Sequence, residues 1–209
     1  MNAPVPTIKR GRKFDQVLEG ARGVFLQDGF EGASVDDIAR AAGVSKATLY
    51  SYFPDKRLLF MEVATAECRR QADTALEEID MNMPPEIVLR AAAERMLGFF
   101  LSAFGRGVFR ICVAESDRFP ELGQEFYRCG PMNVRQTLVT YFKGAIDRRE
   151  LAIDDLELAA DQFAELCKAD MFPRMIMGVT KDFTRSEINR VVEGAVSLFL
   201  ARYRLNSND

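Results

Sequence analysis

The sequence contains no histidine and no tryptophan. Without an imidazole there is no Ser-His-Asp or Cys-His nucleophile pair, no HExxH zinc site and no Glu-x-x-His di-iron bundle, because each takes its base or ligand from histidine. A histidine-based pH switch is excluded on the same ground. Cysteine is sparse: Cys68, Cys112, Cys129 and Cys167 show none of the CxxC pairing of zinc and redox motifs and read as free, reduced core thiols. Long apolar runs are missing as well. The longest stretch without a charged residue, Met96 to Gly105, is ten residues, against the ~20 that a spanning helix needs. The first thirteen residues, MNAPVPTIKRGRK, lack the apolar core of a secretory signal. These features predict a cytoplasmic protein with no membrane partner, no metal and no cofactor.

What remains is ordinary globular material. Of 209 residues, 48% are apolar and 28% charged, enough to bury a substantial core in one or two domains. The net charge of −3 opposes a polyanionic partner, but its distribution softens the objection. Lys9, Arg10, Arg12 and Lys13 give residues 1–13 four bases and no acid, whereas the rest of the chain is mildly acidic.

Helical periodicity dominates. Phe14, Val17, Leu18, Ala21, Val24 and Phe25 form one stripe, predicting a helix over 14–28 ended by Gly29. Ser34 with Asp37 begins a second helix as a capping box, with Val35, Ile38, Ala39 and Ala42 inward and Gly43 as its stop. Ser45 caps a third, Lys46 to about Tyr52, and a fourth runs from about Asp55 toward Met81. Pro84-Pro85 opens a fifth, with Leu89, Ala93, Met96, Phe100 and Phe104 on one face. A shorter helix over 106–120 follows, then a pattern to about Arg149 that Pro131 kinks or splits. Two late amphipathic helices are expected from Asp154 and from the Thr184/Glu187 capping box. The chain reads as all-α, with about nine helices and no strand.

Two short helices joined by Gly43-Val44-Ser45, with Ile38, Ala39, Leu49 and Phe53 inward, describe either a helix-turn-helix, whose second helix enters the major groove of DNA, or an ordinary helix-Gly-helix corner of an all-α core. The outer face of that helix carries Lys46, Ala47, Thr48, Tyr50, Ser51 and Tyr52, a set suited to phosphates and base edges. Segment 33–60, ASVDDIARAAGVSKATLYSYFPDKRLLF, closely resembles the DNA-binding segment of TetR-family transcriptional regulators, over about residues 14–60. One position departs: the family often has histidine where Tyr52 stands. The resemblance implies DNA contacts at Ser34, Ser45, Lys46, Ala47, Thr48, Tyr50, Ser51, Tyr52 and Lys56. By chemistry, Thr48, Tyr50, Tyr52 and Lys56 suit backbone positioning, and Lys46, Ala47 and Ser51 suit base-edge readout. The basic residues before Phe14 suit an arm reaching a minor groove.

Segment 107–131, GVFRICVAESDRFPELGQEFYRCGP, resembles the ligand domain of the AefR-like branch of the same family. That likeness implies a C-terminal domain that binds a small molecule and forms a homodimer through the last two long helices. The division expected is 1–13 as arm, 14–56 as helix-turn-helix and 57–209 as ligand-binding and dimerisation domain. Candidate pocket residues are Arg95, Phe99, Phe100, Phe126, Tyr127, Phe163, Cys167 and Met171, with Phe104 and Met175 beside them; most are expected to be plain core, and a cavity among them would suit an apolar or aromatic effector. Glu115 and Asp117 near Arg118 lack a partner base and read as capping or surface pairing. The expected function is a non-enzymatic, ligand-responsive repressor acting as a homodimer on palindromic double-stranded DNA. The competing class is a helical small-molecule carrier or scaffold without DNA binding.

Overall fold

A computed structural model describes residue 11 and residues 13–78, 80–117 and 119–205, with the side chains of 68, 69, 71–78 and 122 outside the description. Eleven helices occur among the described residues: α1 (Phe14–Gly32), α2 (Val35–Ala41), α3 (Lys46–Tyr52), α4 (Lys56–Glu78), α5 (Pro85–Leu101), α6 (Ala103–Ala114), α7 (Pro120–Cys129), α8 (Pro131–Asp147), α9 (Leu156–Leu166), α10 (Met171–Ile176) and α11 (Arg185–Tyr203). The all-α expectation holds; extended pairing is limited to one isolated bridge, Leu151 with Arg204. Two more helices are present than the periodicity predicted. Gly130 separates α7 from α8, and a break after Cys167 sets off α10, where Asp170 adopts φ 59°.

Other boundaries move for local reasons. Gly29, with φ 69° and ψ −174°, interrupts α1 where the sequence predicted its end, but one further turn continues to Gly32. Ser102 caps α6 by accepting from Gly105 N, so Phe104 belongs to α6 and not to the apolar face of α5. No single helix among the described residues is long and apolar enough to cross a membrane.

The chain divides into two compact units, the first comprising residues up to Arg70 with Ser102–Gly130, the second Gln71–Leu101 with Pro131 onward. The division falls inside α4, and α6 and α7 group with the N-terminal helices. In the first unit α1 packs on α2 and α6 around buried Phe25 and Phe60, whose rings meet edge to face at 4.8 Å. The approach is close: a Cβ at Gly20 would lie 2.5 Å from Ala42 N, and one at Gly107 3.1 Å from the Phe60 ring. Glu67, nearly buried, accepts from Arg22 Nε at 2.9 Å and pairs with Arg70.

In the second unit α5, α8, α9 and α11 enclose Leu89, Phe142, Phe163 and Phe199. Phe199 stacks on Phe142 and meets Phe163 edge to face, both at 5.2 Å. Arg135 grips Asp161 with two bonds of 2.8 and 2.7 Å, tying α8 to α9 in the planar fork geometry a guanidinium favours.

Candidate nucleic-acid interface

The turn between α2 and α3 is built by local chemistry. Gly43 takes φ 61°, its N–H donates to Arg40 O and that of Val44 to Ala39 O, the paired closure of a helix end that favours glycine in the left-handed region. Ser34 caps α2: its hydroxyl accepts from Asp37 N at 3.1 Å and donates to Asp37 Oδ2 at 2.5 Å. Ser45 caps α3, accepting from Thr48 N at 3.1 Å, with Thr48 Oγ1 2.9 Å away. Ile38, Ala39, Leu49 and Phe53 are all buried, and Phe53 meets Phe14 of α1 at 5.2 Å.

With those residues inside, the exposed side of α3 consists of Lys46, Ala47, Tyr50 and Ser51, with Thr48 and Tyr52 half-buried. Tyr50 leaves 46% of its surface open although it is a large aromatic residue with no core role. Tyr52 leans inward, edge-on to Phe14 at 6.4 Å and close against Gly11. Ser51 commits its hydrogen to Thr48 O at 2.6 Å, and Ser34 commits its own to Asp37. Each can contact a phosphate or base as a donor only by releasing that bond.

Two cations differ more than the sequence suggests. Lys56 Nζ donates to Phe30 O at 2.7 Å and to Ala33 O at 2.9 Å, and sits 4.3 Å from the centre of the Phe30 ring. It thus satisfies carbonyls after the Gly29 break, which leaves one of its three hydrogens for a phosphate. Lys46 Nζ is paired with Asp36 Oδ1 at 2.7 Å, and that contact holds the ammonium pKa above its ordinary value. The sequence reading missed both, although an acid in the first turn of α2 and a base in the first turn of α3 were there to be paired. Asp37 lies below the usual carboxylate range because Ser34 donates to it, with Arg40 adding to the effect. Of the basic arm, Lys13 is exposed; Lys9, Arg10 and Arg12 lie outside the described residues. Glu115, expected at the surface, accepts from Arg57 Nη1 at 2.5 Å, and Arg57 also grips Asp55.

The candidate effector residues are distributed unevenly. Phe126 and Tyr127 belong to the first unit; Arg95, Phe99, Phe100, Phe163, Cys167 and Met171 belong to the second. Phe163, Cys167 and Met171 are buried members of the second unit's core, and Met175 is buried too. Phe100 meets Phe99 at 5.8 Å and Phe172 at 5.3 Å, with Lys168 Nζ over both Phe100 and Phe172. Cys112, Cys129 and Cys167 are free thiols; burial pushes Cys112 up to about 11 and Cys167 up to about 12, which makes thiolate chemistry unfavourable. Among the described residues no group of three Cys, Asp or Glu could hold a metal ion.

Comparison with known proteins agrees with this geometry. Residues 17–63 match the family described as bacterial regulatory proteins, tetR family, and residues 87–205 match the C-terminal domain of AefR-like transcriptional repressors. A TetR-family transcriptional regulator from Mesorhizobium loti MAFF303099 superposes with a TM-score of 0.75 at 26% identity, covering 93% of this chain and 98% of that one. The flavonoid-responsive regulator FrrA superposes at 0.64 with 33% identity, covering 95% and 100% respectively. The HTH-type transcriptional repressor AcnR of Corynebacterium efficiens is 39% identical over 62 residues, 30% of this chain. That match spans 33% of AcnR, so the shared part of the curated relatives is about a third of their length. From the helix-turn-helix to the end of α11, the chain belongs to the TetR family of bacterial regulatory proteins, with a C-terminal domain of the AefR-like kind.

Proposed function

We propose that the protein is a ligand-responsive transcriptional repressor that binds palindromic double-stranded DNA as a homodimer. The observation that carries the reading is the outer face of α3: Lys46, Ala47, Tyr50 and Ser51 stand exposed on a helix whose other side is locked into the core by Leu49 and Phe53. A cation, a methyl group, a phenol and a hydroxyl on a rigid short helix are the chemistry that base edges and phosphates accept. Tyr50, Thr48, Tyr52 and the remaining hydrogen of Lys56 serve the phosphates, while Lys46, Ala47 and Ser51 face the bases.

A second copy of the chain completes the gripping unit. Leu158 of α9 and Leu198 of α11 are exposed to 50% and 58%, on the helices whose other faces build the second unit's core. Exposed leucines on two late amphipathic helices favour pairing with the same surface of a twin, the isologous contact that two-fold symmetry requires. The effector is an apolar or aromatic molecule received in the second unit, near the Phe99-Phe100-Phe172 cluster and Arg95. Support for its aromatic class comes from FrrA, a relative named as flavonoid-responsive. Its binding favours the arrangement that cannot hold DNA, by no more than its difference in affinity for the two arrangements.

The direct test is binding to a labelled random-sequence duplex over a salt series. The repressor reading predicts a linear fall of log K with log salt, with a slope set by the number of phosphates engaged. A chain that ignores duplex DNA at low ionic strength is the carrier or scaffold, and the reading fails.

A further inference from the structure

The ion pair between Asp36 and Lys46 places a carboxylate beside the cation assigned above to base readout. Asp36 is exposed to 63% and Lys46 to 52% at their side chains, so the pair is open to solvent and holds little folding free energy. Nor is Asp36 needed to cap α2. Ser34 does that, accepting from the N–H of Asp37 and donating to its carboxylate, which also accepts from Arg40 Nη1 at 2.8 Å. Asp36 Oδ1 instead reaches across the Gly43 turn to the first residue of α3. Its effect must be sought in what it does to the ammonium.

We infer that Asp36 is a specificity-determining residue that positions Lys46 for the base edges and withholds it from phosphates. The inference rests on the assignment of α3 to the major groove. An ammonium has three hydrogens. One is given to Asp36 at 2.7 Å, which biases the direction of the other two and leaves them to acceptors such as the O6 and N7 of guanine. A phosphate oxygen also accepts hydrogen bonds, but it carries a negative charge that the adjacent carboxylate repels, whereas a base edge is neutral. On random DNA, where no base acceptor is correctly placed, Lys46 therefore gains little from the backbone. On a matched site it keeps its base contact. The carboxylate thus lowers non-specific binding more than specific binding, which is how an interface raises the ratio between them.

The experiment compares four full-length proteins, wild type, D36N, K46A and the double variant, on a random duplex and on a duplex recovered by site selection. The Asn side chain preserves shape and removes the charge. With Lys46 present, D36N is expected to strengthen random-duplex binding and to steepen the log K against log salt slope by about one unit, because a freed ammonium now engages one more phosphate. Between 50 and 200 mM salt that slope is an extra loss of about 3.5-fold in affinity, and the specific-to-random ratio falls by at least about threefold at the lower salt. In the K46A background the change in slope disappears. An equal effect of D36N on both duplexes, or the same slope change without Lys46, would overturn the inference while leaving the DNA-binding reading intact. A wild-type chain that binds neither duplex removes that reading and the inference with it.

Discussion

At position 20 a methyl group would stand 2.5 Å from the backbone nitrogen of Ala42, whereas at position 23, one turn along α1, it would meet nothing within 4 Å. The two glycines therefore answer the same substitution with opposite signs. Gly20→Ala forces α1 away from the end of α2 and costs at least about 1–3 kcal/mol, the usual range for overpacking. Gly23→Ala removes backbone freedom from the unfolded chain at no steric cost and stabilises by about 0.5–1 kcal/mol. Urea denaturation of the two variants checks both signs. The inward residues of this region, Ile38, Ala39, Leu49 and Phe53, were legible from spacing alone. The close approach at Gly20 was not, because it depends on which residue of α2 faces it, and periodicity within one helix is silent about that. Lys56 is similar: its charge was visible, its two carbonyl partners on a break 23 and 26 residues earlier were not.

Among the elements, α11 is the one whose beginning the sequence specified most fully. Thr184 accepts from Glu187 N, and the Glu187 carboxylate accepts from Thr184 N at 2.8 Å, the reciprocal pair of a capping box. These bonds lower the Glu187 pKa, first through the Thr184 backbone and then through its hydroxyl. A carboxylate with a depressed folded pKa contributes stability that is present above its unfolded pKa and is lost as pH falls through the folded one. Thr184→Ala is expected to cost about 1 kcal/mol at neutral pH and to weaken the acid-side loss belonging to Glu187. Melting temperatures of both proteins from pH 7 down to pH 3 measure this; parallel curves would contradict it. The α9–α10 break was illegible by comparison. Its apolar residues continue in register through Phe163, Cys167, Met171 and Met175, while the interruption lies in the backbone of Asp170 at φ 59°, a conformation aspartate tolerates without announcing it. The split at Gly130 had a signal in Pro131, which left a kink and a break equally open.

For the whole molecule, the proposed function joins a mildly acidic chain to a polyanion through one short helix, and two copies acting together are proposed to supply the grip. A single α3 presents few cations: Lys46 is shared with Asp36, and Lys56 is largely spent on Phe30 and Ala33. In the proposed homodimer, pairing through the exposed leucines of α9 and α11 would bring a second recognition helix to the same duplex, and symmetry in the protein would then demand symmetry in the site. The measurement that tests this most directly is selection of bound sequences from random duplex DNA by the full-length protein. The account predicts an inverted repeat whose half-sites lie about one helical turn apart, ~34–36 Å, or a multiple of it. Recovery of a single unrepeated site, or no enrichment at low salt, would contradict it.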